Sequence, residues 1–289
     1  MSVALHERPA ARREPGRARG AIHIDDVSKI YDPKGAAVKA VDHCTLSIEP
    51  GEICMIVGPS GCGKTTLLNA IAGFHEISSG AITLDGQVLC NTAQPRAKPG
   101  ADRIVVFQNG ALFPWKTNLE NVAFGPIVQG TLSKAEAFEK ARARMADAGL
   151  SDVEKSYPSE VSSGTRRRIE IVRALMNDPA VLLMDEPYRA LDALTRSVMH
   201  QALLELYYKN NVTMFFITHD LEEAIYLGHK VVVMTTRPCH PKTIIDVELE
   251  HPRLPTVVTS APFLELMRRT RAAVDEEARK AFQAGEKEG

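Results

Sequence analysis

Short apolar runs separated by turn residues occupy the first third of the chain. Residues 22–57 contain IHIDDV, AVKAVDHCTLSIEPGE and ICMIV, whose lengths and alternation predict three strands. A helix is predicted from about residue 64 to 72, because Gly73 ends the helical pattern there. Runs at 79–84 and 103–107 predict two further strands.

Helical periodicity replaces this pattern from about residue 109 to 149 and is clearest at 133–148. Strands return as VLLMDEP and VTMFFITH, each followed by helical sequence. Such alternation is typical of βα units on a mainly parallel sheet. The sequence therefore predicts an α/β fold with a mainly parallel central sheet and a helical insert at about 109–165.

Two segments flank this pattern. At the N-terminus, arginines alternate with Pro and Gly and no apolar signal-peptide core follows, which predicts a disordered basic tail over residues 1–20. Near the other end, TIIDVELE predicts one strand, followed by a proline-spaced linker and a charged helix. We therefore expect a tail at 1–20, a main domain at 21–237 and a C-terminal extension at 238–289.

Composition narrows the class of protein. The 289 residues are 44% apolar and 25% charged, and their formal net charge of −1 gives no field that favours a nucleic-acid partner. No run approaches the roughly 18 apolar residues that a membrane helix needs. Five scattered cysteines without a CxxC pair argue against a disulfide scaffold or a zinc site and favour a reducing compartment. We expect a soluble intracellular protein.

A phosphate-binding pattern lies between a predicted strand and a predicted helix. The stretch GPSGCGKT fits G-x-x-x-x-G-K-[ST] directly after ICMIV. Its backbone N–H groups would converge on phosphate oxygens, Lys64 would reach the β- and γ-phosphates, and the Thr65 hydroxyl would bind Mg²⁺. Because Cys62 lies in this loop, we expect a thiol reagent to block nucleotide binding. The candidate nucleotide-binding residues are Gly58, Pro59, Ser60, Gly61, Cys62, Gly63, Lys64 and Thr65.

Polar side chains follow two further predicted strands. Asp185 and Glu186 end the run VLLMDE, and His219 ends the next strand. In doubly wound sheets, ligands bind at this carboxyl edge. Asp185 suits the Mg²⁺ shell, Glu186 is placed to accept a proton from an attacking water, and His219 is placed to contact the γ-phosphate. Asp220 and Glu223 predict a capping box at the start of the following helix.

A cationic helix start is predicted within VSSGTRRRIE at 161–170. The first turn of a helix already carries partial positive charge from the backbone dipoles. Three further charges at Arg166, Arg167 and Arg168 therefore indicate that an anion approaches this end.

Together, these motifs resemble those of the ATP-binding cassette (ABC) ATPases over about residues 22–237. The resemblance implies a P-loop NTPase fold with a mainly parallel central sheet, an antiparallel β subdomain and a helical insert, with ATP and Mg²⁺ as ligands. The matching positions are Gly58 to Thr66 for the Walker A loop, Gln108 for the Q-loop, Asp185-Glu186 for Walker B, Ala190-Leu191-Asp192 for the D-loop and His219 for the switch histidine.

Residue roles follow from the same resemblance. Tyr31 matches the aromatic residue that stacks on adenine, and Thr66 belongs to the Walker A match. Gln108 would act with Glu186 and His219 in catalysis. Gln108 would also join Thr65 and Asp185 around Mg²⁺.

The stretch VSSGT falls where the family carries its signature, usually L-S-G-G-Q. The resemblance implies that two cassettes sandwich two ATP molecules. The ATP held by one subunit would be covered by the signature of the other, through Ser162, Ser163, Gly164 and Asp192. The triphosphate of that ATP would be the anion that the arginines meet. Ser163 stands where glycine is usual, and its Cβ narrows the accessible φ and ψ. The stretch is thus either a weakened ATP site in a heterodimer or a tolerated variant in a homodimer.

Residues 107–122, FQNGALFPWKTNLENV, are similar to the Q-loop region of importer ATPases for nitrate, sulfonate and taurine. The resemblance implies an ATP-hydrolysing subunit that drives uptake of a small oxyanion at the cytoplasmic face of the inner membrane. The segment from Gln108 to Trp115 would contact transmembrane permease subunits, and a periplasmic or extracellular solute-binding protein would act indirectly. Three alternatives stay open: a non-transport soluble ABC ATPase, a degenerate cassette in a heterodimeric transporter and, for Trp115 alone, a place in the core.

Overall fold

The computed structural model describes residues 19–283 and Gly285. The basic tail predicted at 1–20 lies outside these residues except at its end. There Arg19 donates to the Asp178 carbonyl at 2.7 Å and pairs with its carboxylate at 2.8 Å. The Gly20 amide donates to Asp85 Oδ1 at 2.7 Å. From Arg19 onward the chain is therefore held against the domain.

The strands fall close to the predicted runs, and two more occur at 87–91 and 230–234. The strand predicted at 103–107 ends one residue early, at Val106. The strand bounds within the described residues are β1 (Ile22–Tyr31), β2 (Val38–Ile48), β3 (Ile53–Val57), β4 (Ser79–Leu84), β5 (Gln87–Asn91), β6 (Arg103–Val106), β7 (Val181–Asp185), β8 (Thr213–Ile217), β9 (Lys230–Met234) and β10 (Pro241–Asp246).

Capping groups mark the ends of several helices. The helix predicted at 64–72 is confirmed, and Gly73 ends it in the left-handed conformation with φ 85°. Reciprocal capping boxes at Thr117 and Ser133 begin the two helices of the insert. The helix bounds within the described residues are α1 (Lys64–Ala72), α2 (Asn118–Val128), α3 (Lys134–Asp147), α4 (Ser163–Leu175), α5 (Ala193–Asn210), α6 (Leu221–Leu227) and α7 (Ala261–Gln283), with 3₁₀ turns at Ser151–Val153, Pro158–Glu160 and Pro255–Thr259.

Six strands form the main sheet in the order β10-β9-β3-β8-β7-β6. Neighbouring strands are parallel except β10 and β9, which are antiparallel. Every residue of β3 and β8 is buried, because both faces of the sheet are covered, and this accounts for their continuous apolar sequences. The predicted α/β fold with a mainly parallel sheet is confirmed.

The main sheet separates two hydrophobic cores. Along β3, Ile53, Met55 and Val57 belong to one core and Cys54 and Ile56 to the other, since successive side chains of a strand point to opposite faces. Residues from α2 to α7 complete the first core. The second core is completed by α1 and by an antiparallel sheet of order β2-β1-β4-β5, which confirms the expected antiparallel β subdomain.

The C-terminal extension packs onto this framework. Strand β10 pairs with β9, and α7 buries Phe263 and Leu266 in the first core. Farther along α7, Glu277 accepts a hydrogen bond from the Thr236 amide at 3.0 Å and pairs with Lys242 at 3.0 Å. Across the part of the chain that the structure describes, no helix is both long enough and apolar enough to cross a membrane.

Candidate functional site

The loop between β3 and α1 has a backbone that requires glycine. Gly58, Gly61 and Gly63 have φ values of 152°, 72° and 128°. A Cβ atom on Gly63 would lie 2.3 Å from the Ala40 carbonyl oxygen, and one on Gly58 would lie 2.9 Å from the Met234 carbonyl oxygen. The loop leads directly into α1, so its N–H groups and the start of the helix dipole favour an anion at the same place.

Lys64 folds back across this loop. Its Nζ donates to the carbonyls of Gly58 at 2.8 Å and Pro59 at 2.7 Å, and the residue is buried. A buried ammonium needs such partners, because isolated charges are costly away from water. The positive charge is therefore held at the centre of the loop, where a phosphate would meet it.

Asp185 and Thr65 face each other across the carboxyl edge of the main sheet. Thr65 Oγ1 donates to Asp185 Oδ1 at 3.3 Å, which joins the start of α1 to the end of β7. Burial raises the pKa of Asp185, and the hydrogen bond from Thr65 opposes that rise. One hydroxyl and one carboxylate thus lie side by side next to the loop.

Glu186 is held in an uncommon backbone conformation, with φ 46°. Its amide donates to the Ile217 carbonyl at 3.0 Å, and its carboxylate contacts His219 Nε2 and Arg189 Nη1, the latter at 3.2 Å. Burial alone would raise the pKa of Glu186, but the hydrogen bond and attraction of His219, with Arg189 and Lys64, lower it. The side chain is therefore ionised at neutral pH, as a proton acceptor must be.

The capping box predicted after His219 is half correct. Asp220 Oδ1 accepts from the amides of Glu222 at 3.0 Å and Glu223 at 3.1 Å, so the N-cap is confirmed. The reciprocal half is wrong, because the buried Glu223 carboxylate bonds His200 Nε2 at 2.7 Å instead. The cap still fixes the chain just beyond His219.

Tyr31 places an aromatic ring beside the phosphate loop. Its hydroxyl lies 3.0 Å from His75 Nδ1 and 3.4 Å from Thr66 Oγ1 on α1. Lys29 Nζ lies 5.1 Å from the ring centroid. Tyr31 is 37% exposed, so part of the ring is open to a stacking partner.

Ser162, Gly164 and Asp192 lie at the starts of α4 and α5, and Thr195 contacts both Gly164 and Asp192. Ser162 is the N-cap of α4, and its Oγ accepts from the Thr165 amide at 3.2 Å. Asp192 caps α5 and accepts from the Thr195 amide at 3.0 Å. Gly164 is buried where a Cβ atom would lie 2.8 Å from Thr195 Cγ2, so glycine there allows α4 and α5 to pack closely. No sequence motif had identified Thr195 as part of this group.

Ser163 has an ordinary helical backbone. It is the first residue of α4 and is exposed, and its φ is not positive. Serine adopts this conformation without strain, so the Cβ of Ser163 imposes no backbone cost in this structure. Any effect of Ser163 on ATP must come from the space that its side chain occupies.

Arg166, Arg167 and Arg168 in the first turns of α4 bond to their own chain, which accounts for these residues without an anion. Arg166 Nη1 donates to the Val161 carbonyl at 2.7 Å, and Arg168 Nη1 to the Ala148 carbonyl at 3.4 Å. Arg167 is buried and donates to the carbonyl of Gln108, two residues beyond β6. The three guanidinium groups therefore donate hydrogen bonds to carbonyl oxygens of neighbouring segments.

Cys62 points away from the phosphate side of its loop. It is fully buried, and its Sγ lies 4.0 Å from Cys239 Sγ and 3.8 Å from Lys64 Nζ. Contact with Cys239 and the charge of Lys64 lower the pKa of the Cys62 thiol. The expectation of a thiol open to reagents is wrong, because a loop position does not decide which way a side chain points.

A phosphate loop ahead of a helix, with two carboxylates and a histidine at adjacent strand ends, defines a P-loop nucleoside triphosphatase. Residues 41–189 match the family model described as ABC transporter. The chain belongs to the ABC transporter family, and it is an ATP-binding ATPase of that family.

Curated relatives point to import systems. The aliphatic sulfonates import ATP-binding protein SsuB of Bacillus thuringiensis is 37% identical over 80% of this chain and 88% of its own. The taurine import ATP-binding protein TauB of Chromobacterium violaceum is 43% identical over 75% and 80%. The nitrate import ATP-binding protein NrtD of Synechococcus elongatus is 37% identical over 84% and 87%. The resemblance to this group of importer ATPases is confirmed.

A solved structure shares the architecture. A dimeric ATP-binding cassette in a post-hydrolysis state, bound to ADP and phosphate, superimposes with a TM-score of 0.67 at 27% identity. The match covers 79% of this chain and 100% of the cassette. The ABC ATPase fold is therefore confirmed.

Proposed function

We propose that the chain is the ATP-hydrolysing subunit of an importer for a small oxyanion such as nitrate, a sulfonate or taurine, bound peripherally at the cytoplasmic face of the inner membrane. The observation that carries this proposal is an exposed tryptophan, packed on a half-buried phenylalanine, on the loop after Gln108. Trp115 is 71% exposed and packs on Phe113 with ring centroids 5.5 Å apart. The alternative of a core position for Trp115 is wrong. Exposed aromatics of this kind are typical anchors of protein interfaces and suit a permease.

In the proposed hydrolysis, Glu186 accepts a proton from the water that attacks the γ-phosphate, and His219 contacts that phosphate. Lys64 neutralises charge on the β- and γ-phosphates. The oxygens of Thr65 and Asp185 fit Mg²⁺, which binds through one or two carboxylates together with phosphates. Bound Mg²⁺ would neutralise charge on the transferred phosphate.

The remaining site residues complete this scheme. Gln108, just beyond β6, would reach both the Mg²⁺ shell and the attacking water, and Tyr31 would stack on adenine. Ser163, the first residue of α4, and Asp192, the N-cap of α5, are both exposed, which leaves them open to the ATP of a second ABC subunit. That subunit is either a copy of this chain or a different cassette.

Substitution of Ser163 by glycine tests the weakened-site hypothesis. Because Ser163 is unstrained in the first turn of α4, we expect an unchanged ATPase rate in the reconstituted transporter. Stability should fall by roughly 0.5–1 kcal/mol, since glycine loses more backbone entropy in a helix. Steady-state ATPase assays and thermal melts measure both. A several-fold faster variant would instead support the weakened site and a partner cassette with an intact signature.

Substitution of Trp115 by alanine tests the transport assignment. Truncating a large aromatic anchor typically costs about 2 kcal/mol or more, so affinity for the permease should fall at least about 30-fold. ATP hydrolysis by the isolated cassette should persist. Val128→Ala is the matched control, since Val128 is 66% exposed at the end of α2. Equal permease binding by Trp115→Ala and Val128→Ala would contradict the proposed docking segment.

The solute class is tested separately, in proteoliposomes that contain the permease and the solute-binding protein. Uptake of labelled taurine, an alkanesulfonate or nitrate, but not of the polycation spermidine, is the expected result. Uptake of the cation alone would refute the oxyanion assignment. A chain that purifies from its native membrane without any membrane protein would favour the alternative of a non-transport ABC ATPase.

A further inference from the structure

One face of α4 holds the loop that follows β6. Arg167 Nη1 donates to the Phe107 carbonyl at 2.7 Å, and Nη2 donates to the Gln108 carbonyl at 2.7 Å. Three residues further along the helix, Glu170 Oε1 accepts from the Ala111 amide at 2.9 Å. Side chains spaced three residues apart share a helix face, so these contacts form one continuous strip.

The strip is internally paired and shielded from solvent. Arg167 Nη1 lies 2.5 Å from Glu170 Oε2, and the two side chains are only 9% and 10% exposed. Burial raises the pKa of Glu170, and the charge of Arg167 opposes that rise. Gly110, with φ 75°, makes room for the pair, since a Cβ atom there would lie 2.6 Å from Glu170 Oε1. Charge-assisted hydrogen bonds in such surroundings are stronger than those between neutral groups.

The same strip reaches the half-buried Phe113, on which the exposed Trp115 packs. Arg173 Nη1 donates to the Ala111 carbonyl at 2.6 Å, and its guanidinium lies 4.4 Å from the Phe113 ring centroid. Phe113 in turn packs on Trp115. Contacts from α4 therefore extend from Gln108 to the segment that we assign to the permease.

We propose that Arg167, together with Glu170, is a positioning residue that fastens the loop carrying Gln108 to α4. Gln108 and Trp115 then move with the start of α4 as one rigid unit. The inference deepens the proposed function and rests on it, because the start of α4 would meet the ATP of the second subunit. Arg167 acts through the backbone of Gln108 and does not itself touch ATP.

Hydrogen–deuterium exchange on the isolated cassette tests the fastening. Arg167→Met removes the hydrogen bonds from the guanidinium to the carbonyls of Phe107 and Gln108, so the loop should open more often. Because hydrogen bonds to charged groups are strong, we expect the amides at 107–113 to exchange about ten- to a hundredfold faster. Time-resolved anisotropy of Trp115, the single tryptophan of the chain, should show faster local motion. Arg168→Met is the matched control, since that arginine bonds Ala148 instead and should leave both readings unchanged.

Measurements of kcat and of KM for ATP distinguish a positioning role of Arg167 from a general role in folding. Arg167→Met should lower kcat about tenfold, because small displacements of catalytic groups are costly, while KM for ATP stays unchanged with the phosphate loop intact. Glu170→Gln keeps an acceptor for the Ala111 amide but removes the charge, so it should show smaller changes in the same direction. It also serves as the test if Arg167→Met does not fold.

Two results would overturn the proposal. One is an unaltered rate of amide exchange at 107–113 in both Arg167→Met and Glu170→Gln. The other is an increase in that rate in Arg168→Met equal to the increase in Arg167→Met. Since exchange and anisotropy need neither permease nor solute, they stand apart from the transport assays. Suppose that no solute is taken up, but that exchange at 107–113 is faster in Arg167→Met than in the unaltered chain. The importer assignment would then be refuted, while the proposed role of Arg167 would be supported.

Discussion

Glu186→Gln should bind ATP as tightly as the unaltered chain but hydrolyse it about 10²- to 10⁴-fold more slowly, the usual contribution of a general base. The amide has nearly the shape of the carboxylate and can still contact His219, so the phosphate loop and its ligands stay in place. The variant lacks the carboxylate that would accept the proton. In the unaltered chain, the contacts of Glu186 with His219 and Arg189 keep that carboxylate ionised. Single-turnover ATPase and equilibrium ATP binding, measured side by side, give the two quantities.

Glu205→Gln provides the control for the same chemical change. Glu205 lies exposed on α5, and its conversion should leave hydrolysis unaffected. Robust turnover by Glu186→Gln would refute the assignment of the base and direct attention to Asp185, the neighbouring carboxylate. A loss of ATP binding in Glu186→Gln would instead show that the negative charge is needed to assemble the site.

Gly63→Ala should abolish nucleotide binding by a different route. The added methyl group would lie 2.3 Å from the Ala40 carbonyl oxygen and 2.8 Å from Cys239 Cβ, on a backbone with φ 128°. These neighbours are backbone or Cβ atoms that cannot move without distorting the chain, so the loop itself must shift. Its N–H groups would then no longer point to the same phosphate position. We expect ATP affinity to fall about 100-fold or more, equivalent to one or two charge-assisted hydrogen bonds. Calorimetric titration with ATP measures the loss.

Gly130→Ala separates backbone strain from the crowding at Gly63. Gly130 has φ 67° and no atom within 4 Å of the added methyl group, so only the cost of a left-handed residue, about 1 kcal/mol, applies. ATP affinity should not change in that variant. If Gly63→Ala bound ATP normally while remaining folded by circular dichroism, the assignment of this loop as the phosphate cradle would be wrong.

Much of the site could be predicted because its parts are local. The phosphate loop needs glycines and a lysine at fixed spacing within one stretch, and Asp185, Glu186 and His219 each end an apolar run of strand length. Parallel strands then bring those ends to one edge of the sheet without further information. The strand at Lys230–Met234 could also have been found, since KVVVM is a β-branched run of strand length that follows Gly228 closely.

What could not be predicted depends on partners distant in sequence. Arg167 looked like an anion ligand because two of its partners, the carbonyls of Phe107 and Gln108, lie about 60 residues earlier in the sequence. His200 diverted Glu223 from the predicted capping box in the same way. Cys62 was misjudged because the packing of β2 and the segment at Cys239 against the loop decides its direction. Motif spacing identifies chemistry, but only tertiary packing distinguishes a side chain that meets a ligand from one that holds a loop.

The attachment of the C-terminal extension bears on how the molecule unfolds. Arg237 Nη2 donates to the Gly61 carbonyl at 2.7 Å, and the Cys239 amide donates to the Ala40 carbonyl at 2.9 Å. The segment that joins β9 to β10 is thus bonded to the phosphate loop and to the strand behind it, while Glu277 of α7 anchors Thr236. Because these links join β10 and α7 to the nucleotide loop, we expect ATP, which binds only the native loop, to slow the local unfolding and proteolysis of α7 as well.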